Sequence, residues 1–263
     1  MIPAQPACSQ PCNRHAVVFV HGIFGGADTW TNGAVSFPEL LRTDHPFCDD
    51  CDVFVVTYPT KPSESPKIRL TAIGQGLAEQ VDLLANYNSI QLIGHSMGGN
   101  AILISLMFTK FLHQDAHQRF TKYKNIILLG TPIEGASIAN FHWLAERLIG
   151  DDPQVLALKP ITDNELPVLT ELALATIDLK RERLMLADIP IATAWEEKRL
   201  FGALIIVPQQ SATALGTEHR GFEKDHEQLA KPANQCDEVY QWVTGLLASG
   251  LGKSKPTYNC PTN

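Results

Sequence analysis

The sequence lacks long hydrophobic runs, dense groups of basic residues, internal repeats and low-complexity segments. Its longest apolar stretches are too short to cross a bilayer, so no transmembrane helix is predicted. Lysine and arginine are scattered over a chain of net charge −7, and their densest group, residues 180–183, is interrupted by a glutamate. This distribution argues against a nucleic-acid partner. At 263 residues the chain is long enough to bury one large core.

The first dozen residues also lack the basic and apolar order of a signal peptide, and they are rich in polar residues and proline. Such a beginning is consistent with a cytosolic protein or with a mature start left by removal of a signal. Six cysteines shift the expectation slightly toward a secreted or periplasmic protein.

The cysteines form three pairs by position. The first two pairs each precede a predicted strand and would meet at the N-terminal edge of a sheet, and the third is near the C-terminus: Cys8 with Cys12, Cys48 with Cys51, and Cys236 with Cys260. Disulfides are the preferred interpretation. Free thiols and a zinc site made by the first four cysteines are the alternatives.

Short β-branched apolar segments alternate with segments of helical periodicity. The predicted strands are 16–20, 53–57, 90–93, 125–129, 189–194 and 203–207, and the predicted helices are 37–42, 69–85, 97–112 and 237–247. This alternation indicates a parallel sheet with helices on both faces. In such sheets the reactive groups gather beyond the C-terminal ends of the strands.

Residues 133–187 interrupt the alternation with leucine, alanine and Trp143 at helical spacing. About 55 residues far exceed an ordinary connection between strands. We therefore expect a helical lid inserted into a single domain that spans 1–263. The alternative is that these helices simply belong to the scaffold.

A predicted buried strand, then Gly-His-Ser-Met-Gly at residues 94–98, then a long apolar helix form the clearest motif of the chain. This is the G-x-S-x-G pattern, in which a sharp strand-to-helix turn holds a serine hydroxyl out of the backbone. Glycines on either side let the strand and the helix approach closely. The motif predicts Ser96 as a nucleophile.

A serine nucleophile needs a base and an acid that orients the base, and in this arrangement they follow the serine in the order acid, histidine. His226 is the preferred base because it precedes the closing helical segment, and His219 is its competitor. Glu196, at the end of a strand, is the preferred acid. Successive strand side chains face opposite ways, so only one of Glu196 and Glu197 can reach the histidine.

The reaction also needs backbone N–H donors for an oxyanion. The residue after the nucleophile, Met97, is predicted to supply one of them. The second is expected from the glycine-rich loop that follows the first strand, at Ile23 or Phe24, with Ile23 slightly preferred.

Together these motifs resemble the α/β-hydrolase superfamily, in its lipase and esterase branch. Residues 17–25 look like the strand and oxyanion loop of that family, 94–98 like its elbow, and 129–135 like a further strand end. Residues 195–232 are similar to serine esterases related to GPI-inositol deacylases. In those proteins a glutamate after the penultimate strand and a histidine before a Lys-Pro or Lys-Phe pair complete the triad, which favours Glu196 and His226.

The resemblance covers nearly all of 15–247 and implies an α/β-hydrolase fold. The two strands that usually begin the eight-stranded sheet of the family are missing, so we expect a minimal, mostly parallel six-stranded sheet. The cysteines do not belong to the family pattern. The resemblance implies no metal and no organic cofactor.

The expected activity is that of a serine hydrolase that cleaves carboxylic esters through an acyl-enzyme. Apolar helices in the expected lid favour a lipid or other hydrophobic acyl ester, with transient contact to a lipid surface. Thioester or amide hydrolysis by the same residues and a secreted phospholipase-type effector are alternatives. A further alternative is a non-catalytic binding protein on the same scaffold.

Overall fold

The computed structural model of the chain describes residues 14–22, 25–60, 70–133, 189–200, 202 and 205–261. Residues 134–187 of the expected lid lie outside this part. So do Cys8 and Cys12, and so do Ile23 and Phe24, the two expected oxyanion donors of the first loop. Within the described residues, no helix combines the length and apolar character needed to span a membrane.

A parallel six-stranded sheet forms the centre of the fold. In chain order the strands are β1 (His15–Val20), β2 (Thr31–Asn32), β3 (Val35–Ser36), β4 (Cys51–Val56), β5 (Ser89–His95), β6 (Tyr123–Leu129), β7 (Ile191–Glu196) and β8 (Glu218–Phe222). The main sheet has the order β4-β1-β5-β6-β7-β8 with every pairing parallel, and β2 and β3 form a separate hairpin. The predicted minimal six-stranded sheet of the α/β-hydrolase fold is confirmed.

Helices cover both faces of this sheet. They are α1 (Phe37–Thr43), α2 (Phe47–Asp50), α3 (Leu70–Asp82), α4 (Met97–Leu112), α5 (Ala116–Phe120), α6 (Gln209–Ala212) and α7 (Glu238–Gly250). Alternate side chains of β1 divide between two cores. Ala16, Val18 and Val20 pack with α3 and α4, and Val17 and Phe19 pack with α1 and α7. Such a two-sided core explains why the central strands read as continuous apolar runs.

The sixth predicted strand is wrong in its described part. Residues 205–207 form a bend, and the edge strand is β8, eleven residues farther along the chain, at Glu218. Ile206 and Val207 are buried, which explains their strand-like composition. The side chains of residues 218–220 are exposed and Phe222 at the end of β8 is buried, so this strand lacks the apolar alternation by which strands are predicted.

The cysteines divide between two of the expected states. Cys236 and Cys260 form a disulfide with their Cα atoms 5.6 Å apart, which joins the C-terminal tail to the residues just before α7. Cys48 and Cys51 are free thiols. Cys51 is buried in the apolar cluster beneath α1 and α7, whereas Cys48 is partly exposed on α2.

We expect the double variant Cys236→Ala/Cys260→Ala to lose about 3 kcal/mol of unfolding free energy, because the bridge closes a loop between residues 24 positions apart. Urea unfolding under non-reducing conditions measures the loss. As a control, a reductant should lower the midpoint of the wild type and leave the double variant unchanged. Equal wild-type and variant midpoints without reductant would contradict a stabilising bridge.

Candidate active site

Ser96 occupies a strained turn between β5 and α4. Its φ of 53° and ψ of −129° make it the one non-glycine residue with positive φ in the described part of the chain. Its N–H donates to Leu129 O at 2.9 Å, and its own carbonyl accepts from the Gly99 N–H at 3.0 Å. The side chain is 2% exposed, and its Oγ has no hydrogen-bond partner among the described residues. Backbone strain of this kind persists only where the surroundings hold it, and it concentrates at functional sites.

Close backbone packing around the turn explains its glycines. A Cβ on Gly98 would lie 2.1 Å from Val20 O, which is backbone at the end of β1. A Cβ on Gly94 would lie 2.6 Å from Gly99 Cα, and a Cβ on Gly99 would lie 2.0 Å from Thr131 Oγ1. A Cβ would collide with backbone atoms at Gly98 and Gly94 and with the Thr131 side chain at Gly99, so the close packing of α4 depends on glycine at these places.

Glu196 and His226 lie side by side at the C-terminal end of β7. His226 Nδ1 is 3.4 Å from Glu196 Oε2, and the Val207 N–H donates to Glu196 Oε1 at 2.6 Å. Both side chains are almost fully buried. Burial alone raises the pKa of Glu196, but the charge of His226 and the hydrogen bonds from His226 and Val207 outweigh it, so the pKa lies below its usual value. The carboxylate is therefore ionised in the folded protein at neutral pH.

His226 contacts His95, the residue that precedes Ser96. His95 Nε2 donates to the backbone carbonyl of His226 at 2.8 Å, and the two ring centroids are 4.9 Å apart. Burial, followed by the charge of His226, lowers the pKa of His95 to about 3, so this ring stays neutral. Gly130, at the end of β6, leaves room for the His226 ring, since a Cβ there would lie 3.0 Å from Nδ1. These contacts bring His226 to the same end of the sheet as Ser96.

The alternatives to His226 and Glu196, which are His219 for the base and Glu197 and the sequence neighbour Asp225 for the acid, lie elsewhere or have other partners. His219 is exposed on the edge strand β8, where its Nδ1 lies 2.8 Å from Thr193 Oγ1. Glu197 is exposed, as expected from the alternation of strand side chains. Asp225 accepts from the Gln228 N–H at 2.9 Å and so supports the short helical turn that follows it. The structure brings none of these to the buried pair of residues 196 and 226.

Two residues of the predicted oxyanion-hole region, Met97 and Gly22, are among the described residues. Met97 is the first residue of α4, where a backbone N–H has no partner within the helix and is available to an anion. Gly22 lies against Ser96, because a Cβ there would be 2.8 Å from Ser96 Cβ and 3.2 Å from its Oγ. Ile23 and Phe24, which follow directly, lie outside the described residues.

The loop that begins at Gly22 is braced from the end of β4. His21 is fully buried and stacks on Tyr58 with centroids 4.2 Å apart. His21 Nδ1 donates to Gly22 O at 2.8 Å, and its Nε2 accepts from the Tyr58 N–H at 3.2 Å, which assigns a neutral ring with the proton on Nδ1. Thr60 Oγ1 donates to Gly25 O at 3.1 Å. These hydrogen bonds hold Gly22 and Gly25, the described residues on either side of positions 23 and 24.

Two contributors to the site, the Val207 amide and Tyr58, are not predicted from the sequence. The Val207 amide has no signal there, since any residue except proline supplies an N–H. Tyr58 does have a signal in the sequence. This residue follows the end of β4, the strand that pairs with β1, and therefore lies beside the loop that follows β1. Polar residues after neighbouring parallel strands meet at one edge of the sheet.

Comparison with known proteins identifies the family to which this fold belongs. A model of the alpha/beta hydrolase family matches residues 17–234. The chain belongs to the alpha/beta hydrolase family. A search of curated proteins found no match.

Several solved structures resemble this hydrolase over nearly its whole length. A Bacillus licheniformis lipase in its mature form is 17% identical with a TM-score of 0.56, and the alignment covers 95% of each chain. A monoacylglycerol lipase from Paleococcus ferrophilus is 16% identical with a TM-score of 0.53, covering 92% of this chain and 96% of the other. A proposed epoxide hydrolase from Pseudomonas aeruginosa is 15% identical with a TM-score of 0.50, covering 92% and 91%. At these identities the likeness shows the fold.

The lowered pKa of Glu196 has a consequence for stability. A carboxylate whose pKa is lower in the folded than in the unfolded state stabilises the fold above the unfolded value, about 4.3, and loses this contribution as the pH falls through the folded value. We therefore expect the urea midpoint of the wild type to fall more steeply than that of Glu196→Gln as the pH drops below about 4.3. Glutamine keeps an oxygen acceptor for Val207, so the variant should fold. Parallel pH profiles of the two proteins would contradict an ionised, stabilised Glu196.

Proposed function

We propose that this alpha/beta hydrolase is a serine esterase that cleaves carboxylic esters through an acyl-enzyme, with Ser96, His226 and Glu196 as its triad. The observation that carries the proposal is the buried His226–Glu196 pair, at 3.4 Å, at the same end of the sheet as a serine in a strained turn. An ionised carboxylate beside a histidine ring orients the ring and stabilises its protonated form. A buried carboxylate is costly to desolvate, and the contact between Glu196 and the His226 ring is what gives this one a role in orienting a base.

In this mechanism Nδ1 of His226 faces Glu196, so the proton of Ser96 passes to Nε2. The Ser96 oxygen attacks the ester carbonyl, and the resulting oxyanion accepts hydrogen bonds from the Met97 N–H and from an N–H of the loop at Ile23 or Phe24. The imidazolium then protonates the leaving alcohol. Water repeats these steps on the acyl-enzyme, with His226 as its base, and releases the acid.

The nucleophile favours acyl chemistry over epoxide opening, although one structural neighbour is a proposed epoxide hydrolase. Attack of a serine oxygen on an epoxide carbon forms an ether. An ether has no carbonyl that water can attack with help from an oxyanion hole, so the enzyme would not turn over. Attack on an ester forms a second ester, which water hydrolyses by the same route.

The proposed substrate is a lipid or another ester with a hydrophobic acyl group, in preference to a small polar ester. Supporting it are the apolar helical pattern of 133–187 and the similarity of 195–232 to serine esterases related to GPI-inositol deacylases. Two of the structural neighbours are lipases, one of them a monoacylglycerol lipase. Thioester or amide substrates would use the same residues and the same steps.

Replacement of the nucleophile is the direct test. A fluorophosphonate probe should label the wild type covalently and leave Ser96→Ala unlabelled, because only the alkoxide formed at Ser96 attacks phosphorus. Hydrolysis of p-nitrophenyl butyrate should fall about 10⁶-fold in kcat in the same variant. Labelling of Ser96→Ala, or no labelling of a folded wild type, would contradict the proposal, and the second result would favour a binding protein on this scaffold.

Substitution of two neighbouring glutamates tests the assignment of Glu196 as the acid. We expect Glu196→Gln to lower kcat about 10⁴-fold, because glutamine neither stabilises the imidazolium nor enforces the required tautomer of His226. The exposed neighbour provides a matched control, so Glu197→Gln should keep wild-type kcat. Initial rates on the p-nitrophenyl ester measure both. A larger loss at 197 than at 196 would reverse the assignment.

A further inference from the structure

A second group of reactive side chains lies at the opposite edge of the sheet from Ser96. The chain turns from α1 into α2 and then enters β4 at its N-terminal end. On this turn His45, Cys48 and Asp49 bring an imidazole, a thiol and a carboxylate together, with their ligand atoms all within 4.8 Å of one another. The triad proposed above uses none of them.

The three donor atoms lie close to one another. His45 Nδ1 is 2.9 Å from Asp49 Oδ2 and 3.3 Å from Cys48 Sγ. A tetrahedral zinc ion with bonds of about 2.0 Å to nitrogen and oxygen and about 2.3 Å to sulfur would separate such donors by roughly 3.3–3.6 Å. Small side-chain rotations therefore convert the present contacts into a coordination sphere.

The backbone beneath these side chains is already ordered. Asp44 O accepts from the N–H groups of Phe47 at 2.8 Å and Cys48 at 2.9 Å. The Arg14 guanidinium donates to Asp49 O and Cys51 O, each at 2.8 Å. The turn is thus held at its beginning and at its end, so a ligand would not have to order it.

The start of the turn is also anchored through a side chain. The buried Asp44 carboxylate accepts from the hydroxyls of Tyr240 and Tyr258, each at 2.7 Å. The neighbouring acid, Asp50, has its own ion pair with Lys253. The carboxylate of Asp49 therefore remains the acidic group of this turn that faces the imidazole and the thiol.

We propose that His45, Cys48 and Asp49 form a binding site for a borderline-soft divalent cation of the Zn²⁺ class, with water completing the tetrahedron. Thiolate and imidazole ligands select zinc and similar transition metals over Mg²⁺ and Ca²⁺, which prefer oxygen. This set differs from the four-cysteine site considered from the sequence. Cys51 packs in the apolar core, whereas Cys48 lies beside an imidazole and a carboxylate.

The site would stabilise the fold rather than take part in the reaction. It lies on the turn between α1 and α2 and on α2 itself, just before β4, whereas Ser96 follows the C-terminal end of β5 in the same parallel sheet. A cation that binds the folded turn and not the unfolded chain raises the melting temperature. Ester hydrolysis should be the same with and without the metal.

Cobalt provides a direct probe of the ligands. After treatment with a chelator and its removal, the full-length protein is titrated with CoCl₂ and then with ZnCl₂. We expect a thiolate-to-cobalt charge-transfer band, together with visible bands of tetrahedral intensity, at one ion per chain, and zinc should displace the cobalt. The band should be absent in Cys48→Ser and present in Cys51→Ser.

Calorimetric titration with ZnCl₂ tests the other two ligands. His45→Ala and Asp49→Asn should each weaken binding by at least the roughly 10- to 100-fold that loss of an outer-shell partner costs. His117→Ala removes an exposed histidine on α5 and should bind zinc like the wild type. These exposed positions leave the core intact, and circular dichroism verifies the fold of each variant.

Several results would overturn the proposal. A cobalt band that survives in Cys48→Ser, or zinc affinity unchanged in all three ligand variants, would show adventitious binding elsewhere. A band that disappears in Cys51→Ser would instead assign the metal to the cysteine set. Absence of binding by the folded wild type would reduce the cluster to a hydrogen-bonded turn.

Discussion

The candidate active site depends on one steric constraint, the close passage of the first turn of α4 over the ends of β1 and β6. Gly98 brings the helix to within contact of the Val20 carbonyl, and Gly99 does the same for Thr131. At this close approach Ser96, the residue between β5 and α4, has a positive φ. The strain is sustained because β5 and α4 are packed together in one buried core.

Electrostatic interactions stabilise the buried polar side chains near this turn. Glu196 is a buried charge, and the protein compensates for its desolvation with the Val207 N–H and the His226 ring. The neutral ring of His95 holds the backbone of His226 without adding a second charge beside it. The Glu196 carboxylate, the His226 ring and the neutral His95 ring therefore share one small buried volume.

The two edges of the sheet are built for different tasks. At the C-terminal edge, strained and buried polar groups converge, which is where α/β sheets place their chemistry. At the N-terminal edge, Asp44, Tyr240 and Tyr258 tie α1, α7 and the tail together, and the Cys236–Cys260 disulfide reinforces the same tail. The metal site proposed on the neighbouring turn would add to this reinforcement.

The sequence by itself determined the elements whose signal is local. Residues 97–112 are helical as predicted, because apolar periodicity and a preceding glycine turn act within a few residues of one another. The sequence predicts strands at β1, β5 and β6 because both faces of these strands are buried, which gives continuous apolar runs. The choice of β8 as the edge strand, the role of the Val207 amide and the link between residues 95 and 226 were decided only by the tertiary structure. Each of these depends on a contact with a residue distant in the chain, and neither periodicity nor residue type records such a contact.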